Sequence, residues 1–152
     1  MVYFLDTGVC IDHLSNASSN VSTALEQTPF QSVKIPAMVA ATLLCGAEKS
    51  VKREYNLMVF KTFLSLFEIV PFDQKASEIY ATVYWELFNK EQTIHGCRLA
   101  IAATVLANEA TLVTNDTDTF AQIDDLMITD WTSDRISQPP QKQGKKKRRL
   151  EP

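Results

Sequence analysis

The strongest constraint on this chain is an alternation of short apolar runs, each closed by a polar turn, with stretches of helical spacing. The first run, Val2-Tyr3-Phe4-Leu5, stops at Asp6-Thr7-Gly8, and Val9, Ile11 and Leu14 then mark a short helix that turns them partly inward. "NASSN" punctuates before a second helical piece, "VSTALEQ". "SVKIP" reads as a brief strand, and Pro36 suits the first turn of a helix through "AMVAATLLCGAEKS". A helix over about residues 52–66 places Tyr55, Val59, Phe63 and Leu66 on one face, while Phe60, Phe63, Leu64 and Phe67 form a rival stripe of core or interface character. "FEIVPFD" is a third strand before the helix "QKASEIYATVYWELFNK"; "ATLVTND" and "LMITDW" are a fourth and a fifth. Between them, "CRLAIAATVLANE" has the small side chains of a helix packed closely between a sheet and its neighbours.

Such a pattern predicts right-handed crossovers and a three-layer α/β domain with a central, mainly parallel sheet of about five strands flanked by helices. Ligands in these sheets sit outside the carboxyl ends of the strands, near a topological switch point. Asp6 lies at one such end, and Asn115 and Asp116 at another. A carboxylate that closes a buried strand is costly unless donors or a cation meet it, so the partner of Asp6 is the central question.

The domain expected over residues 1–132 gives way at 133–152 to "SDRISQPPQKQGKKKRRLEP", polar and aperiodic, which predicts a disordered tail. Residues 141–152 hold six basic groups and one acid, a charge of +5, leaving −8 on the first 140 residues. No signal peptide is visible and no apolar run approaches a bilayer's width, which predicts a cytoplasmic protein with no membrane contact. Cys10, Cys45 and Cys97 lack CxxC spacing and read as free core thiols.

Four strings also carry a likeness. "YFLDTGVCIDHL" resembles the opening of a PIN domain, where a strand ends in Asp-Thr-Asn before a short helix. "IPAMVAATLLCGAEKS" resembles the second signature stretch of VapC-type toxins, "IHGCRLAIAATVLANEATLVTNDTDTF" the third and fourth, and "LMITDW" the closing strand, so the likeness spans about residues 1–131 in matching order. The resemblance implies a divalent-metal-dependent endoribonuclease, the toxin of a type II toxin–antitoxin pair, acting on tRNA or mRNA. It also implies a homodimer and an antitoxin peptide wrapped over the helical faces. Mg²⁺ or Mn²⁺ on clustered carboxylates would activate a water and neutralise the phosphorane.

Carried across residue by residue, the resemblance makes Asp6 the first acid and Asp116 the fourth, both candidate catalytic residues, with Asp6, Asp116 and Asp118 as candidate metal ligands. The second acid, usually a Glu, aligns with Thr42, and the third, an Asp, with Arg98; Gly8 stands where Asn is common. An Asp-to-Arg exchange changes the local charge by two units, and unit charges ~4 Å apart interact by about 4 kcal/mol at an effective dielectric near 20. Two readings stay open. In the favoured one Arg98 pairs with Asp6 or Asp116 and takes over the metal's electrostatic role, leaving catalysis weak or absent. In the other an ion still binds through Asp6, Asp116 and Asp118, and Arg98 clamps a phosphate.

Blander roles stand beside these. Asp6 suits a helix N-cap; Asp116 and Asp118 suit a cap and a solvated loop charge; Thr42 suits a hydroxyl bonded to its own helix. His95-x-Cys97 is a zinc hint without a second pair. Tyr84, Trp85 and Phe88 suit core or interface. Arg98 with Lys145, Lys146, Lys147, Arg148 and Arg149 are candidate RNA contacts; the "KKKRR" run reads first as a solvated tail, with a nuclear-type signal and a flexible arm for RNA phosphates as unranked alternatives. The competing functions are therefore a toxin-type ribonuclease with a degraded metal site, a non-catalytic PIN descendant that binds RNA or a protein, and a structural dimeric module.

Overall fold

The computed structural model describes residues 1–133. The tail expected to be disordered, with Lys145, Lys146, Lys147, Arg148 and Arg149, lies outside the described residues.

The chain runs β1 (Tyr3–Leu5), α1 (Thr7–Leu14), α2 (Ser19–Gln27), β2 (Val33–Pro36), α3 (Ala37–Lys49), α4 (Arg53–Leu64), β3 (Glu68–Val70), α5 (Gln74–Asn89), α6 (Gly96–Ala107), β4 (Thr111–Val113), α7 (Thr117–Phe120) and β5 (Met127–Thr129). The five strands form one sheet in the order β3-β2-β1-β4-β5, and every neighbouring pair is parallel, as the alternating pattern predicts. Between parallel strands a helix returns the chain to the starting edge before the next strand can pair. Register pairs buried residues, with Phe4 opposite Leu112 and Leu5 opposite Val113. Phe4, Leu5, Ile35, Leu112 and Val113 are fully buried.

From β1 the chain moves outward to β2 and β3 on one side, then returns to lay β4 and β5 on the other. The order therefore reverses between β1 and β4, and their carboxyl ends make the switch point where α/β sheets open a crevice. α6 packs against β2, β4 and α5. Leu99, Ala100, Ile101, Ala102, Ala103, Thr104 and Val105 are all buried, which a helix can achieve only with small side chains on the faces that approach closest.

Several expectations need correction. Pro36 closes β2 and precedes α3 instead of lying in its first turn. Tyr55 and Leu66 are exposed, and the inward face of α4 carries Phe63 and Leu64, with Phe60 and Phe67 packed partly against the core. Leu66 lies beyond the helix end at Leu64, so helical spacing does not apply to it. In α1 it is Cys10 that joins Val9 in the core, while Ile11 is exposed. Cys45 and Cys97 are exposed, so Cys10 is the one core thiol; burial pushes its pKa far up, which keeps it protonated and inert. Tyr84, Trp85 and Phe88 are exposed on α5, the last two stacked at 5.5 Å. Among the described residues no helix is long and apolar enough to cross a membrane.

Candidate functional site

Asp6 follows directly on the buried Leu5, and its own N–H donates to the Val113 carbonyl at 2.9 Å, which fastens the end of β1 to the end of β4. Its side chain is 7% exposed. One oxygen, Oδ1, accepts the Thr7 N–H at 2.7 Å and so caps α1. The other, Oδ2, accepts the Thr114 hydroxyl at 2.7 Å. Burial pushes the Asp6 carboxyl above its ordinary value. The Thr114 and Thr7 donors and, more weakly, the Arg98 charge pull it back, and the Asp116 charge adds to the rise.

Thr114 follows β4 directly in complete burial, and its hydroxyl faces both ways: it donates to Asp6 and accepts the Asp116 N–H at 3.0 Å. Asp116 leads into α7, and its Oδ1 accepts the Thr119 hydroxyl at 2.8 Å. Its Oδ2 takes an ion pair from Arg98 Nη1, and the same nitrogen donates to Thr119 Oγ1 at 3.2 Å. Arg98, Asp116 and Thr119 thus form a closed triangle, joined through Thr114 to Asp6. The Arg98 and Asp116 side chains are 49% and 31% exposed, so the pair is worth less to stability than a fully buried one would be.

A second tie runs beside the first. Asn115 Nδ2 donates to Asp12 Oδ2 at 2.9 Å, which links the turn after β4 to α1. The amide lies against Gly8, where a Cβ would come within 2.7 Å of Asn115 Oδ1.

The sequence-level candidates therefore separate. Asp6, Asp116 and Arg98 come together at the switch point. The cation meets Asp116, and Asp6 is answered by hydroxyl and amide donors; the alternative in which Asp6 itself holds Arg98 does not occur. Asp118 is exposed in the first turn of α7. Thr42 donates to the Met38 carbonyl at 2.8 Å on its own helix. His95 caps α6 by accepting the Cys97 N–H at 3.4 Å, which gives the His-x-Cys string a structural role. Thr114, Thr119, and the Asn115–Asp12 tie escaped the reading of the sequence. Thr114 had a signal, a hydroxyl closing a buried strand beside an acid, whereas Thr119 is placed only by the turn of α7.

A divalent ion does not fit this donor set. Only two carboxylates of the described residues face the switch point, and the place beside buried Asp116 Oδ2, which has no hydrogen-bond partner, is taken by the Arg98 guanidinium; the other three oxygens each accept one protein donor. Among the described residues no three His, Cys, Asp or Glu side chains gather as a metal centre would require.

The family model of the PIN domain matches residues 3–126. Ribonuclease VapC2 of Rickettsia felis is 33% identical over 132 residues, covering 86% of this chain and 98% of that protein. The tRNA(fMet)-specific endonuclease VapC of Shigella flexneri is 26% identical over 130 residues, covering 86% and 98%. Among solved structures, VapBC2 of Rickettsia felis bound to a promoter DNA fragment superimposes with a TM-score of 0.81 at 32% identity, over 86% of this chain and 99% of that one.

Proposed function

The chain belongs to the PIN-domain family, and from that premise we propose that it is a VapC-like endoribonuclease, the toxin of a type II toxin–antitoxin pair, with impaired hydrolytic chemistry. The reading is supported by the position of Asp6 and Asp116, held together through Thr114 at the switch point of the sheet. The impairment rests on one observation, the Arg98 guanidinium on Asp116. RNA is the substrate class, tRNA or mRNA, and a cognate antitoxin and a second copy of the chain are the protein partners. The names and structures of the relatives support the nuclease and the VapBC pairing. The exposed aromatic side chains of α5 are compatible with a protein partner.

The chemistry left to this chain's own residues is binding and orientation. Asp6 accepts one donor on each oxygen, which fixes the orientation of its carboxylate, while burial pushes its pKa above the ordinary value. Arg98 is half-exposed and engages Asp116 and Thr119 through Nη1, so its remaining N–H donors could meet an RNA phosphate.

The test is cleavage of a mixture of tRNA and mRNA by the purified protein in Mg²⁺ or Mn²⁺ and in EDTA, with Asp6→Ala alongside. The expected result is little or no cleavage by the natural sequence and metal-dependent cleavage by the double variant Thr42→Glu, Arg98→Asp. Efficient cleavage by the natural sequence, lost in both EDTA and Asp6→Ala, would remove the case for impairment. Silence of the double variant, in folded protein that still binds RNA, would move the assignment to a PIN descendant that binds without cutting.

A further inference from the structure

We propose that Arg98 is a tethered counter-ion, aimed by Thr119, which balances the carboxylates at the switch point and makes this chain's site indifferent to divalent metal. The inference rests on the toxin-type reading only for the expectation that a metal would otherwise be there; its geometry belongs to this chain.

Arg98 is the third residue of α6, in the turn that faces the β4–α7 connection. Its Nη1 reaches two partners that are themselves bonded to each other, Asp116 Oδ2 and Thr119 Oγ1. A guanidinium held from two sides in this way is localised, unlike a surface arginine paired once. The Thr119 hydroxyl is the part that aims it. By donating to Asp116 Oδ1, it turns the carboxylate so that Oδ2 faces Arg98, and by accepting from Nη1 it fixes the approach. Asp6 lies close enough to feel the result, since the Arg98 charge favours its ionised form while the Asp116 charge opposes it.

Two carboxylates and one guanidinium leave a net charge of −1, and the one positive charge is covalently attached. A free cation would have to displace Arg98 from the buried Asp116 Oδ2, whereas the single hydrogen bonds on the other carboxylate oxygens leave a lone pair each. The guanidinium is tethered and already lies against Asp116 Oδ2, so a free cation competes with a charge that cannot diffuse away. The unpaired acids of a chain lacking Arg98 would repel one another and favour the unfolded state until an ion joined them.

The test compares the natural sequence with Arg98→Gln, Arg98→Asp and Thr119→Val, by thermal melting in EDTA, Mg²⁺ and Mn²⁺ and by titration of Mn²⁺ followed by electron paramagnetic resonance. The natural protein should melt within about 1 °C in all three solutions. Arg98→Asp should melt lower in EDTA and recover by roughly 4–8 °C in millimolar Mn²⁺, with Mn²⁺ affinity raised at least about tenfold. Arg98→Gln tests the loss of charge without an added acid. Thr119→Val keeps the charge but loses its aim, and should gain a smaller share of the Mn²⁺ affinity. A natural protein that binds Mn²⁺ as tightly as Arg98→Asp would overturn the proposal, as would Arg98→Gln and Thr119→Val proteins with unchanged affinity. Failure of the toxin reading would show instead in the cleavage assay, as silence of the Thr42→Glu, Arg98→Asp double variant, and the metal titration contains no RNA.

Discussion

Gly8 and Asn115 show how one missing Cβ shapes this site. Gly8 lies inside α1, where alanine would ordinarily gain about 0.5–1 kcal/mol by restricting the unfolded chain. That Cβ, however, would meet Asn115 Oδ1 at 2.7 Å and push the amide off Asp12. The lost hydrogen bond is worth about 0.5–1.5 kcal/mol at most, because the amide is exposed. The two effects nearly cancel, so Gly8→Ala should change stability little in the natural sequence. With Asn115→Ala already present, the same change should stabilise by roughly 0.5–1 kcal/mol. Urea denaturation of the four proteins measures the difference, and a gain equal in both backgrounds would mean that Gly8 and Asn115 do not interact. At this scale the sequence is informative about positions and silent about partners. Asp6 and Asp116 are legible as acids after buried strands, yet whether Arg98 meets one or the other depends on how Thr114, Asn115 and Asp116 turn into α7.

The elements show the same division. Strands of three or four residues are legible because each is an apolar run bounded by turns, and α6 because a run of buried alanines has few other uses. The inward face of α4 is not, because apolar side chains lie nearly all round it and spacing offers two stripes where the core accepts one. The joint between β1 and β4 rests on more than their ladder, since the Thr114 hydroxyl serves the Asp6 carboxylate and the Asp116 N–H together. Thr114→Val preserves shape and leaves both groups without that partner in a buried place. Each such orphan costs about 1–3 kcal/mol, and the carboxylate lies toward the upper end. The expected loss is therefore at least about 2 kcal/mol in chemical denaturation, larger than any surface exchange on α4 should cause. A loss within about 0.5 kcal/mol, the range of ordinary surface substitutions, would show that water replaces the hydroxyl readily.

Across the whole molecule, charge is divided as the fold does not require. Residues 1–140 carry −8, a balance that repels a polyanion, whereas residues 141–152 carry +5. The family assignment is legible from four strings distributed along the chain because they report strands and turns that the sheet order needs. The proposed impairment is legible as two mismatches, Thr42 and Arg98, but what Arg98 does there depends on a side-chain triangle assembled from α6, the turn after β4 and α7. The proposed RNA engagement of an acidic domain with one half-exposed arginine at its site is expected to draw on the terminal lysines and arginines. Counter-ion release gives that dependence a definite slope. About six basic groups on single-stranded RNA should make log K fall against log salt with a slope near −4. A chain ending at residue 140 should bind far more weakly at low salt, with a slope near zero to −1, because Arg98 alone among the candidate RNA contacts remains. Fluorescence anisotropy of a labelled RNA across a potassium chloride series distinguishes the cases. Equal slopes for the two chains would place the phosphate contacts on the folded domain and leave the terminal basic run without a part in RNA binding.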